Sequence, residues 1–325
     1  MRLAAEDTFS LAALALAVMA PAVIPSHVLG DGAIWLAYSL FAVSLAFVWG
    51  HCGLLSLGHA VYFGLGAYAM SVVTLGMVPG APWLISTWAG LISAVIVAGA
   101  SAWLLGLLFF AAKGLRGAFF GIVTLAVAVI AERLAVRSDL LGGLNGLMSV
   151  PPLNLGLNGG GAEIVDTMPL YYTLLVILTL VIAGLRFLIL SPFGLTLAAI
   201  RENELRVATL GHDVRALKVR AFALSGALAG LSGALFVVQF GFASPSLIGF
   251  PLSVDALIWV AVGGRGQLVA AALGAIGMRL IESRLSGSLG TLWPLVLGVI
   301  FMLSVIFFRD GLLGTAIKWL QQHKK

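Results

Sequence analysis

Long stretches of this 325-residue chain carry no charged side chain. Residues 32–112 lack Asp, Glu, Lys and Arg altogether, and further uncharged runs cover residues 8–30, 167–185, 221–254 and 285–308. A helix that crosses a membrane needs about 20 mostly apolar residues, so residues 32–112 alone have room for about three or four crossings. Because the runs are continuous rather than alternating, they predict membrane helices and not a barrel.

The apolar runs predict nine membrane segments. They cover residues 9–24, 34–49, 54–77, 83–111, 118–134, 171–190, 220–240, 253–281 and 292–308. The predicted fold is therefore all-α, a single transmembrane helical bundle over residues 1–325 with about eight to ten spans, some of them interrupted or re-entrant.

The positive charges predict the orientation of the bundle, because Lys and Arg concentrate in cytoplasmic loops. They cluster in three connections: the 191–219 loop (Arg201, Arg206, Arg215 and Lys218), the turn with Lys113 and Arg116, and the tail 309–325 (Arg309, Lys318, Lys324 and Lys325). We therefore expect these connections and both termini to be cytoplasmic.

The segment 253–281 does not fit this orientation as one full crossing. Nine full crossings would leave the C-terminus outside, against its own charge. The segment is long and is interrupted by Gly263-Gly264-Arg265-Gly266. We expect a re-entrant hairpin or two short crossings here, with the glycine break covered by protein or by a watery cavity.

Composition supports a membrane protein. Hydrophobic residues make up 61% of the chain and charged residues 10%, whereas about 25% of a soluble domain is charged. Too few charges exist to cover a soluble globule, and the hydrophobicity excludes disorder. The net charge of +5 fits basic cytoplasmic loops better than nucleic-acid binding. The single cysteine, Cys52, excludes an internal disulfide, and we expect it to be a small packing residue.

Polar residues inside the apolar segments are few. His51 and His59 would lie on one face of a continuous helix, but no Cys, Asp or Glu is near enough in sequence to complete a metal shell. Asp255 and Arg265 are the two ionisable residues that stand out, since charges in lipid are costly and usually functional. By contrast, Arg279 is placed at a segment end, where snorkelling to the interface would explain it.

Glycine is abundant, with 40 residues concentrated in the apolar segments. It recurs at short spacing in LSLGHAVYFGLGAY (55–68) and in LSGALAGLSGALF (224–236). Small residues at such spacing allow helix backbones to approach closely in lipid. Interrupted helices also build solute sites in transporters, so packing and pathway lining both stay open.

The 191–219 loop is the most informative polar stretch. Leu197, Ile200, Leu205 and Ala208 would share one helical face. Gly211 suits a helix C-cap, and Asp213 suits the N-cap of the next helix. The pattern predicts a short charged helix on the cytoplasmic surface. It is either an ordinary solvated loop or a docking helix for a cytoplasmic partner.

At this point a family resemblance emerges. The two glycine motifs above, GGLNGL (142–147), SPFGLTLAAIRENELRVATLG (191–211), SPSLIGF (244–250) and VAVGGRGQLVAAALGA (260–275) resemble the LivM-type permeases of bacterial branched-chain amino acid ABC importers. The motifs occur in family order and cover most of residues 34–308. Leu141 stands where the family pattern often has Thr, and Ala270-Ala271 where it often has Gly-Pro.

The resemblance implies a non-enzymatic permease subunit in the bacterial inner membrane. It implies a sister permease (LivH-like), two cytoplasmic ATPases, a periplasmic solute-binding protein and ATP-driven uptake by alternating access. Neither a cofactor nor a metal is expected. Urea and short-amide permeases share much of the pattern, so that cargo stays open, as does an ion-coupled secondary carrier.

Two sets of residues are expected to carry the function. The ATPase-coupling set is Arg201, Glu202, Glu204, Arg206, Leu210, Gly211 and His212. The translocation-pathway set is Ser56, Gly58, His59, Tyr62, Gly64, Gly66, Asn145, Asp255, Gly263, Gly264, Arg265 and Gly266.

Overall fold

A computed structural model describes residues 2–81, 84–111, 117–154, 156, 163–308, 311–312 and 314–315. The Lys113–Arg116 turn and most of the 309–325 tail lie outside these residues. The helices are α1 Arg2–Val23, α2 Ser26–Cys52, α3 Ala60–Thr74, α4 Thr87–Ala111, α5 Ala118–Arg137, α6 Thr167–Leu190, α7 Pro192–Glu202, α8 Glu204–Thr209, α9 Val214–Phe240, α10 Phe250–Gly263, α11 Leu268–Leu289 and α12 Trp293–Phe307. Strands β1 (Leu147–Met148) and β2 (Phe242–Ala243) form a short antiparallel pair.

The predicted fold class is confirmed as a polytopic helical bundle. Among the described residues, five helices are long and apolar enough to cross a membrane, or six if α10 and α11 count as one bent span. Three shorter apolar helices, Thr8–Val23, Ala60–Thr74 and Trp293–Ser304, accompany them. The break predicted at 263–266 is present, because α10 and α11 meet there at a bend of 118°.

The chain divides into two compact units. Unit 1 comprises Met1–Phe47, Thr167–Arg186 and Asp255–Lys325, and unit 2 comprises Val48–Asp166 and Phe187–Val254. In unit 1, Ser39 Oγ donates to Ala272 O at 3.1 Å and so connects α2 with α11. Ser304 Oγ donates to Ala261 O at 3.1 Å and connects α12 with α10.

In unit 2, helices α3, α4 and α9 pack most extensively against one another. Gly226 and Gly230 of α9 lie against Ala102 and Ala98 of α4. On another face of α9, an added Cβ at Gly233 would overlap the carbonyl oxygen of Phe63 in α3. We call this set of contacts the small-residue seam. It has the spacing by which membrane helices approach closely without large side chains.

The two ends of unit 2 collect different connections. Strands β1 and β2 bring the loop after α5 next to the loop after α9. At the other end, Arg215 at the start of α9 donates to Leu107 O near the end of α4, at 3.1 Å. The 191–219 loop and the end of α4 thus share one end of the unit, as the charges led us to expect. The membrane side that this end faces stays a prediction.

We expect Gly66→Ala to destabilise the chain, because the new Cβ would overlap the backbone of Gly230 across the seam. Overpacking of this kind costs about 1–3 kcal/mol. Thermal unfolding of the detergent-solubilised protein would measure the loss. Gly184→Ala is the control, since no atom within 4 Å would meet its Cβ. Equal melting of the two variants would contradict the seam.

Candidate functional site

His59 is the centre of a buried polar group in unit 2. Its Nε2 lies 3.3 Å from Ser225 Oγ of α9. The ring packs edge-on against Tyr62, with 5.8 Å between centroids, and Tyr62 packs in the same way against Phe222 at 5.4 Å. His59, Ser225 and Phe222 are fully buried and Tyr62 is nearly so. This group therefore connects the start of α3 with the middle of α9.

The backbone before α3 is irregular although it lies in an apolar segment. Residues 54–59 do not continue the helix, so His51 and His59 are not on one continuous helix, which corrects the expectation from their spacing. Thr124 Oγ1 accepts the N–H of Leu57 at 3.0 Å, and Ser253 Oγ accepts the N–H of Ala60 at 2.9 Å. Side chains from α5 and α10 thus satisfy two of the freed backbone N–H groups, as lipid requires.

The glycines of the pathway set that lie in unit 2 make close contacts. An added Cβ would overlap the carbonyl oxygen of Thr124 at Gly58, the side chain of Ile248 at Gly64 and the backbone of Gly230 at Gly66. Ser56 is also fully buried. In this conformation these residues hold elements together. Their role in the pathway stays a prediction.

The rest of the pathway set falls into two places. Asn145 is exposed in unit 2, in the short 3-10 turn Gly143–Asn145 just before β1. Asp255 and residues 263–266 lie in unit 1, where Gly263 touches the backbone of Ala270 and Ala271 at the bend between α10 and α11. The Ala270-Ala271 pair that departs from the family pattern is therefore part of this bend.

Sequence reasoning singled out Asp255 but missed the charged residues Arg279 and Glu282 near it in unit 1. Helix α11 continues to Leu289, so Arg279 lies near its middle and not at a segment end as predicted. Its Nη1 donates to Glu282 Oε2 at 2.6 Å, and its guanidinium carbon lies 4.6 Å from the ring centroid of Tyr38 in α2. Asp255 of α10 interacts electrostatically with both charged residues. We call Tyr38, Asp255, Arg279 and Glu282 the charge cluster.

The predicted docking helix is two helices. Asn203 ends α7 and caps α8 by accepting the N–H of Arg206 at 3.0 Å, so no single helix covers 201–212. The buried face consists of Leu197, Ile200 and Val207, whereas the predicted Leu205 and Ala208 are exposed. The predicted caps are present: Gly211 has φ +89°, and Asp213 accepts the N–H of Ala216 at 3.0 Å.

Two contacts tie the coupling set to the helices of unit 2. The Arg201 guanidinium donates to the carbonyl of Gly50 near the end of α2, and its side chain covers Gly53. Lys218 Nζ of α9 lies 2.7 Å from Glu204 Oε2 of α8, with the Lys218 side chain only 8% exposed. Glu202, Arg206, Leu210, Gly211 and His212 are exposed beside these anchors. The segment is therefore firmly held and presents a mixed polar and apolar surface.

These features permit binding and movement. Among the described residues, no group of three His, Cys, Asp or Glu side chains could hold a metal ion. Buried polar groups at helix ends, a sharp bend between two helices and an anchored surface segment are typical of a multi-pass membrane permease subunit.

The comparison with known proteins gives the family. Residues 29–307 match the permease component of branched-chain amino acid transport systems, and the chain belongs to this family of ABC permeases. It is 30% identical to the high-affinity branched-chain amino acid permease protein LivM of Escherichia coli strain K12, over 95% of this chain and 75% of that protein. LivM of Salmonella typhimurium gives the same identity and coverage. The autoinducer 2 import permease LsrC of Photorhabdus laumondii is 32% identical over 46% of both chains. No solved structure matches this chain.

We expect Glu204→Gln to destabilise α8 by about 3 kcal/mol, because it leaves the Lys218 ammonium buried without its carboxylate. Glu202→Gln is the matched control, since the Glu202 side chain is 74% exposed and its pair with Arg201 should contribute less than about 1 kcal/mol. Hydrogen exchange of the α8 amides in detergent would detect the difference. Similar protection in the two variants would contradict the anchor.

Proposed function

We propose that the chain is the permease subunit of an ATP-driven importer and forms the translocation pathway for branched-chain or other hydrophobic amino acids. The proposed location is the bacterial inner membrane, with both termini and the 191–219 loop in the cytoplasm. The proposed partners are a sister permease similar to LivH, two cytoplasmic ATPase subunits and a periplasmic solute-binding protein. ATP hydrolysis belongs to the ATPases.

The observation that carries the proposal is the anchored surface of α7 and α8 in an ABC permease. An apolar leucine, Leu210, is 73% exposed there, next to the exposed charges of Glu202 and Arg206. A surface that mixes exposed apolar residues with charges is suited to a protein groove. Its anchors on the ends of α2 and α9 would pass a movement of the ATPase directly to membrane helices.

The proposed mechanism is alternating access by rigid-body movement. Binding and hydrolysis of ATP would change the spacing of the two ATPases. Helix α8, docked in a groove of its ATPase, would move with it. The break at 263–266 and the irregular segment before α3 are the places where the helices are already interrupted, so they are where we expect opening to alternate sides. His59, Tyr62 and Asp255 would border the pathway during this movement, and residues 191–219 would act as the coupling loop.

The energy source provides the first test. Proteoliposomes with the permease pair, both ATPases and a leucine-binding protein should accumulate leucine only when ATP is inside. A proton or sodium gradient alone should drive no accumulation. Concentrative uptake by the gradient without ATPases would overturn the proposal, and uptake of urea instead of leucine would overturn the cargo.

The docking surface provides the second test. We expect Leu210→Glu to abolish copurification of the ATPases and to lower ATP-dependent uptake by about tenfold or more, because a buried charge would replace an apolar contact. Leu140→Glu is the matched control, since Leu140 is an exposed leucine in the loop after α5. Retention of the ATPases by the Leu210 variant would contradict the docking role.

A further inference from the structure

The charge cluster lies in the apolar part of unit 1. Arg279 is near the middle of α11 and Tyr38 near the middle of α2, a helix whose residues 32–52 contain no Asp, Glu, Lys or Arg. The Arg279 guanidinium lies over the face of Tyr38, and the Tyr38 ring meets the buried Trp259 edge-on at 5.2 Å between centroids. Ionisable residues in such positions are rare in membrane helices and usually functional.

The surroundings of the cluster restrict what it can face. The side chains of Arg279 and Glu282 are 25% and 28% exposed on this chain. A charge at this depth that faced lipid would be costly, so the exposed side must face a watery space or another protein chain. Both are found along a pathway that a permease pair encloses.

The chemistry of the cluster fits a zwitterion. Nη1 of Arg279 is engaged by Glu282 and Nε is buried, and the side chain as a whole is 25% exposed. A guanidinium whose donors are not all engaged is suited to a carboxylate. Glu282 contacts the guanidinium, and Asp255 lies near enough to interact electrostatically with both groups, so two carboxyl groups accompany one guanidinium and one negative charge is left for an ammonium group.

We propose that the charge cluster is a transient site for the head group of an amino acid in transit. Arg279 binds the α-carboxylate through the part of its guanidinium that Glu282 leaves free, and Asp255 takes the α-ammonium. Glu282 holds the guanidinium in position, and Tyr38 covers its face. This inference rests on the proposed amino acid cargo and assigns the cargo a site in this chain.

The test uses the complete transporter in proteoliposomes with Arg279→Lys, which keeps the charge and loses the fork. We expect the number of leucine molecules imported per ATP hydrolysed to fall about tenfold, as for loss of one charge-assisted contact. The ATPase rate stimulated by loaded binding protein should stay close to wild type. Arg284→Lys, an exposed arginine on the same helix, is the control and should change neither.

A second measurement uses the unaltered transporter. Photo-leucine, a diazirine analogue of leucine, is delivered by the binding protein and cross-linked during turnover, and labelling is expected in the peptides of Trp259 or Arg279. Three results would overturn the site. The Arg279 variant could import as many leucine molecules per ATP as wild type, its transport and ATPase rates could fall equally, or the label could be absent from both peptides. A wild-type transporter that imports no leucine would instead overturn the proposed function.

Discussion

Close contact between helix backbones is the constraint on which unit 2 depends. Lipid is as apolar as leucine, so it gives helices little reason to associate through large apolar side chains. The glycines of α9 and the alanines of α4 solve this problem by removing side-chain bulk, so that main chains come into van der Waals contact. The same contact fixes α3 on the other side of α9. His59 at the start of α3, with its partner Ser225 in α9, and Lys218, the α9 anchor of α8, lie on helices that this seam holds.

Hydroxyl groups of neighbouring helices allow irregular backbone to exist in the apolar part of unit 2. The segment between α2 and α3 leaves amide groups outside any helix, and these would be intolerable in contact with lipid. Thr124 and Ser253 supply the missing acceptors because α5 and the start of α10 lie close by. Each of these two amides is held by a single hydroxyl group, so few hydrogen bonds must be replaced when the segment changes conformation. This makes the segment suitable for a protein that must change conformation.

Much of the fold followed from charge-free length alone, because a span of lipid demands a span of apolar residues. The break at 263–266 and the caps at Gly211 and Asp213 were also predictable, since glycine and aspartate act locally there. Non-local features were not. Asn203 divides the docking segment by capping α8, and apolar periodicity alone cannot reveal such a break. The charge cluster was missed because the end of α11 was placed too early, which moved Arg279 to an interface. Its contact with Tyr38 joins residues more than 200 positions apart, and no pattern in a single sequence encodes it.

The bend between α10 and α11 has a consequence for inherited variation in this chain. Gly264 has φ +137°, a backbone conformation that side chains with a Cβ rarely adopt, and Gly263 beside it touches the opposite helix. Replacing Gly264 would change the angle between α10 and α11 and would remove no functional side chain. Such a protein would be made and inserted in normal amounts, yet α10 and α11 would meet at the wrong angle. Measurements of abundance would overlook this defect.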